Sequence, residues 1–263
     1  MSMTIMGHLD ELRKRLFRMV IVVGIITFVI LGFHLTPFVY NGIHLYYPSF
    51  SPFDNMAAQA MKSMKHHLLP SYVQLIQTAP AQAFFAQFYV AVMLGIVIGM
   101  PVIVKEFMGF LSPALAKKEV QIIKSITLPA IGLFAAGCVF SYVVVTPYML
   151  AFLYKYGESA GLLTFLNIVD FITFVLQFML AFGVSFQLPL IMYAVTASGM
   201  VEKKFWRRNI KWAVIGIVIL GAAITPDGSG VTMWFVAGPL IGLYLIGMLL
   251  SEKRANKIGT LKS

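Results

Sequence analysis

Asp10, Glu11, Glu106 and Glu119 each stand among basic residues, in a chain where only 11% of residues are charged. A carboxylate in that setting has two uses. It can pair with its own lysine and arginine neighbours on a solvated face, worth under about 1 kcal/mol per pair. It can also receive an external cation, and a guanidinium suits it best, because its planar fork makes two parallel hydrogen bonds that an ammonium cannot reproduce. Spacing alone favours the first use and leaves the second open. Gln187, in Phe186-Gln187-Leu188-Pro189, is the polar group nearest the middle of an apolar run. A buried amide without a partner is costly, so Gln187 either bonds a neighbouring helix or faces a substrate.

Other chemistry finds little support. Gly157-Glu158-Ser159-Ala160-Gly161 matches the G-x-S-x-G of serine hydrolases, but no strand precedes it and all five histidines lie before residue 68. It reads as a flexible connection between helices. Neither a G-x-x-x-x-G-K-[ST] phosphate loop nor an H-E-x-x-H zinc motif occurs, and His66 and His67 are adjacent, which does not put two ligands on one helix face. The single cysteine, Cys138, allows no disulfide or thiolate cluster and reads as a small buried hydrophobe. The expectation is a protein that is not an enzyme and holds no cofactor or metal.

The elements that position these residues follow from composition. Hydrophobic residues make up 59% of the 263, more than a soluble domain can bury. Lipid is the solvent that fits. Six apolar segments are expected as transmembrane helices, at about 16–36, 82–104, 122–147, 169–197, 212–225 and 231–250. Together they predict an all-α polytopic membrane protein forming a single integral membrane domain. A span needs about 20 residues to cross about 30 Å of hydrocarbon. The fifth segment covers only about 21 Å at about 1.5 Å per residue. It ends at Thr225-Pro226-Asp227-Gly228, and with the sixth it is expected to form a short hairpin in a locally thinned bilayer.

The net charge of +10 does not point to nucleic acid, because the basic residues lie in short clusters between apolar runs. Four lie before or at the start of the first span, four between the second and third or at the start of the third, five between the fourth and fifth, and four follow the sixth. That puts 17 of the 20 on one side and leaves Lys62, Lys65 and Lys155 on the other. The bias places both termini in the cytoplasm. The basic start of the chain, Arg13-Lys14-Arg15 and Arg18, resembles a secretory signal, but it contains Asp10 and Glu11 and no cleavage site follows, so an uncleaved first helix is expected. The long outer segment from Pro37 to Pro80 is rich in aromatics and includes an amphipathic stretch at 56–69, consistent with an ordered cap on the outer leaflet.

Gly95-x-x-x-Gly99 and Gly238-x-x-x-Gly242 are small-residue patterns that permit close helix contact. Pro101, Pro129, Pro147, Pro189 and Pro239 predict kinks and groove-like surfaces. Asn167 and Asp170 fit a helix N-terminal cap.

The order of these motifs resembles one family. His8-Leu9-Asp10-Glu11-Leu12-Arg13-Lys14-Arg15-Leu16 is similar to the H-L-x-E-L-R-x-R start of TatC, the receptor subunit of the twin-arginine protein translocase. Met100-Pro101-Val102, then Phe110-Leu111-Ser112-Pro113-Ala114-Leu115 with Lys118-Glu119, resemble its first cytoplasmic loop. Phe140-Ser141-Tyr142-Val143 through Pro147, Phe182-Gly183-Val184-Ser185-Phe186 with Pro189, and Thr225-Pro226-Asp227 continue the match in order.

The resemblance implies a concave, glove-like bundle that binds twin-arginine signal peptides of folded precursor proteins and organises their transport across a prokaryotic cytoplasmic membrane, driven by the proton-motive force. Glu11 and Glu119 would receive the paired arginines, with Asp10 beside them and Phe110 and Pro113 shaping the loop. Thr225 and Asp227 would mark the docking region for the single-span partners TatA and TatB, and self-association is implied. Gln187 stands where the family usually has an intramembrane Glu. Phe205-Trp206-Arg207-Arg208-Asn209 itself looks like a twin-arginine signal, but positive-inside anchoring explains it.

Overall fold

The computed structural model describes residues 5–40, 43–70, 72–111, 117–162, 164–197, 199, 201–202, 204–225 and 230–259. The chain divides into two compact units, one of Met1–Glu106 with Leu150–Leu176, the other of Phe107–Met149 with Gln177–Ser263.

The first unit begins with α1 (Ile5–Gly32), whose apolar stretch meets α3 (Gln82–Leu111). Two glycines bring the helices together. A Cβ at Gly95 would lie 2.6 Å from Thr27 Oγ1 and 3.1 Å from the Val23 carbonyl, and one at Gly99 would lie 3.4 Å from Val23 Cγ2. In lipid, where no hydrophobic force drives helices together, such close backbone approach supplies the attraction. The expectation for Gly95-x-x-x-Gly99 holds. Gly238 and Gly242 differ, since a Cβ at either would meet nothing within 4 Å among the described residues.

Between α1 and α3 the chain makes structure that helical periodicity did not foresee. Strands β1 (Phe33–Tyr40) and β2 (Ile43–Phe50) form an antiparallel hairpin, with Pro37 opposite Tyr46 and Pro48 opposite Leu35. Proline is tolerated because each strand of a two-stranded ribbon is an edge. The amide of Gln59 serves the outer edge of β1, accepting from the Leu35 N–H at 3.3 Å and donating to the Leu35 carbonyl at 3.1 Å.

The expected amphipathic helix forms as α2 (Met56–Leu68). Asn55 caps it, its Oδ1 accepting from the Ala58 N–H at 2.9 Å while its Nδ2 donates to Gln87 Oε1 at 3.0 Å and so ties the cap to α3. Strand β3 (Gln74–Ile76) pairs in parallel with β4 (Phe165–Asn167). Asn167 braces that pair, donating to Thr78 Oγ1 and Gln82 Oε1, both at 3.0 Å, while its Oδ1 accepts from the Val169 N–H as the expected cap.

The remaining elements are α4 (Lys117–Phe140), α5 (Thr146–Ser159), α6 (Ile168–Ser185), α7 (Leu188–Ala197), α8 (Phe205–Arg208), α9 (Ile210–Ile224) and α10 (Val231–Gly259). Proline does not end the third span at 147. A π-helical turn over Ser141–Val145 joins α4 to α5, with the Thr146 N–H reaching back to the Ser141 carbonyl. The widened turn shifts the ladder by one residue, which accommodates a Pro147 that has no N–H to give. In the second unit α10 packs on α7, where a Cβ at Gly247 would lie 2.9 Å from Pro189 Cα.

Among the described residues, five helical stretches are long and apolar enough to cross a membrane: Leu9–Gly32, Gln82–Phe107, Thr127–Ser159, Ile168–Ala197 and Val231–Lys253. The fifth apolar segment is the shorter helix Ile210–Ile224. The protein is a polytopic helical membrane protein.

Candidate functional site

An i, i+4 spacing places Glu11 and Arg15 on one face of α1, and the α1–α3 register fixed by Gly95 and Gly99 brings Glu106 to the same spot. Arg15 donates through Nε at 3.0 Å and Nη2 at 2.6 Å to Glu11 Oε1. Its third nitrogen, Nη1, donates to Glu106 Oε2 at 3.1 Å. Arg18 reaches the other oxygen of Glu106 at 3.4 Å. Two carboxylates and two guanidiniums thus form a closed, charge-balanced network. Glu106 is buried, its side chain 11% exposed, whereas Arg18 is 65% exposed. A carboxylate so enclosed persists only with its charge paired.

One acceptor in this network is unused. Glu11 Oε2 is enclosed and has no hydrogen-bond partner among the described residues. Asp10 is different in kind: it pairs with Lys14 at 2.8 Å on the exposed face of α1.

Phe110 lies near the end of α3 and is half-buried. Glu119 lies on α4 in the second unit, its side chain outside the described ones. Pro113 and Asp227 fall outside the described residues. Thr225 is buried at the end of α9, its hydroxyl donating back to the Gly221 carbonyl at 3.0 Å.

Gln187 bonds a neighbouring helix. Its Nε2 donates to the Ala130 carbonyl of α4 at 3.1 Å and to the Gly183 carbonyl at 3.4 Å. The reason is local. The chain turns between α6 and α7, ahead of Pro189, so the Gln187 N–H goes to the Val184 carbonyl at 3.0 Å, and the side chain approaches the Gly183 oxygen in its place.

The residue that sequence reasoning noted without assigning to the site is Glu106. The signal that could have found it was the glycine spacing: helices held antiparallel at Gly95 and Gly99 place residue 106 near 15 and 18.

Beyond the network, an apolar groove of about 560 Å³ runs between α1 and α3, lined by Leu16, Val20, Gly24, Phe28, Val92 and Ile96 among others. Leu16 and Val20 also line a smaller hollow that includes Leu12 and Arg13, so the apolar surface continues to the charged end of α1.

The family model for the Sec-independent protein translocase protein TatC matches residues 7–239. A TatC protein of Cenarchaeum symbiosum (strain A) is 60% identical over 250 residues, covering 95% of both chains. One from Aquifex aeolicus (strain VF5) is 31% identical over 258 residues, covering 97% of both. The crystal structure of a twin arginine translocase receptor, TatC, superposes with a TM-score of 0.75 at 28% identity, covering 94% of this chain and 99% of that one.

Proposed function

Because the chain belongs to the TatC family, we propose that it is the receptor and core subunit of a twin-arginine translocase, binding the signal peptides of folded precursor proteins at the end of α1 that carries Glu11. The observation that carries this reading is the seating of Arg15 on Glu11: this carboxylate already holds a guanidinium by two of its nitrogens. An incoming arginine would use the same geometry, which lysine lacks. Glu119, Asp10, Phe110 and Pro113 are proposed as further parts of the binding surface, on the family resemblance.

A signal peptide presents its basic segment first and an apolar segment of about 7–15 residues next. The groove between α1 and α3 follows the charged end in the same order, and suits the apolar segment. The charged end is then the cytoplasmic one, in keeping with the positive-inside bias, and the membrane is the cytoplasmic membrane of a prokaryote. Single-span partners of the TatA and TatB kind would dock near Thr225 and Asp227, with further copies of the chain joining the assembly. In this role the protein recognises and assembles, carries out no catalytic step and needs no cofactor; the proton-motive force supplies the energy.

The test is photo-crosslinking of a twin-arginine peptide to the purified protein, beside a twin-lysine one. The Arg-Arg peptide should crosslink strongly and the Lys-Lys peptide weakly, with the difference abolished by Glu11→Lys. Equal crosslinking of both peptides would overturn the receptor reading.

A further inference from the structure

We propose that Glu106 is a positioning residue for signal recognition: it takes Arg15 away from Glu11, so that Glu11 can accept the incoming guanidinium. The inference rests on the receptor reading and adds to it a residue and an exchange step.

Both short bonds on Glu11 Oε1 come from Arg15 of the same chain, so an external arginine meets a site already filled by the group it resembles. Binding therefore competes with an internal ligand, and the observed affinity scales with the fraction of molecules in which Glu11 is free. A guanidinium leaving Glu11 for water would be poorly compensated at a half-buried position. It has an alternative here, because Arg15 Nη1 already touches Glu106 Oε2 at 3.1 Å.

A small rotation moves Arg15 wholly onto Glu106. That transfer displaces only Arg18, whose bond to Glu106 is long, at 3.4 Å, and whose side chain is 65% exposed and able to enter water. Glu106 is held in place for this purpose by its burial and by the α1–α3 register. Glu11 Oε2, enclosed and without a partner among the described residues, is acceptor capacity that Arg15 does not use.

The exchange gives opposite signs to two substitutions. Arg15→Gln removes the internal competitor and should tighten a twin-arginine peptide by about fivefold. Glu106→Gln, nearly isosteric, leaves Arg15 with Glu11 as its one anchor and should weaken the peptide by about fivefold; both figures follow the worth of one partly exposed charge-assisted bond. In the double variant the loss from Glu106→Gln should vanish, because there is no Arg15 to hold. Glu106→Asp, which keeps the charge, should recover part of the affinity.

The experiment is titration of a fluorescent twin-arginine peptide against the full-length protein in lipid nanodiscs, for the native chain and these four variants, with a Lys-Lys peptide alongside. An Arg15-dependent effect of Glu106→Gln establishes the exchange. An equal loss with and without Arg15, or weaker binding on Arg15→Gln, would overturn it while leaving the receptor reading intact. Failure of the native chain to discriminate Arg-Arg from Lys-Lys would instead strike at the receptor reading itself.

Discussion

Gly137 of α4 lies against the Phe182 carbonyl of α6 so closely that a Cβ at position 137 would sit 2.6 Å from that oxygen. The contact is reciprocal, since a Cβ at Gly183 would lie 2.8 Å from the Phe134 ring. Backbone cannot retreat as a flexible side chain can. Gly137→Ala should therefore cost about 1–3 kcal/mol, as overpacking does. Thermal unfolding in detergent checks this, with Gly132→Ala, where nothing lies within 4 Å, as the control that should lose no stability.

Gln187 belongs to the same helix pair. Gln187→Leu keeps the volume and removes the donor to the Ala130 carbonyl, so a loss of about 0.6–1.7 kcal/mol is expected, the range of interhelical hydrogen bonds in membranes. If the side chain instead served a substrate, stability would be unchanged and transport would fall, so measuring both separates the two roles.

The short connection before α9 is fixed from two sides. Tyr244 donates to the Trp206 carbonyl at 2.8 Å, and the Trp206 indole donates to Thr196 Oγ1 at 2.9 Å. Tyr244→Phe should cost about 1 kcal/mol and change the fluorescence of Trp206, whose surroundings loosen. Retention of both the melting temperature and the emission spectrum would show the bond to be idle.

Asp54 gives the segment that leads into α2 a pH dependence. A hydrogen bond from Lys62, at 2.8 Å, holds its carboxyl below the usual carboxylate range; desolvation opposes this and the charges of Lys62 and His34 add to it. A lowered folded-state pKa means the contribution is present above the unfolded value, near about 3.9, and is lost as pH falls through the lower folded one. Hydrogen exchange in α2 should quicken below that range in the native chain, and Asp54→Asn should remove the dependence.

The spans were legible because lipid demands long apolar runs, and the family signature because its motifs keep their order. What stayed hidden depended on partners distant in sequence. Periodicity finds amphipathic α2 but not the β1–β2 ribbon, because Pro37 and Pro48 argue against strands unless the ribbon is known to consist of edges alone. Pro147 reads as a helix end until the π turn before it is seen.

Two glycine pairs of the same pattern behave differently, since only the neighbour decides whether a small residue is a contact. Glu106 needed the same knowledge. Its meaning comes from residues 88 and 91 positions earlier. Arg207-Arg208 mimics a signal in sequence, yet Arg207 is engaged, forked onto Glu252 with two bonds of 2.8 Å.

The meeting of Val23 and Thr27 with Gly99 and Gly95 acts as a ruler for the whole charged end. One residue added between Arg15 and Val23, or between Gly99 and Glu106, would turn everything beyond it by about 100° and face Glu106 away from its arginines. Lineages descending from this protein are thus free to exchange side chains along those stretches but not to change their length. Heritable insertions and deletions should accumulate instead in the segment between Gly32 and Gln82, where loops can absorb them without disturbing the opposite end of α1.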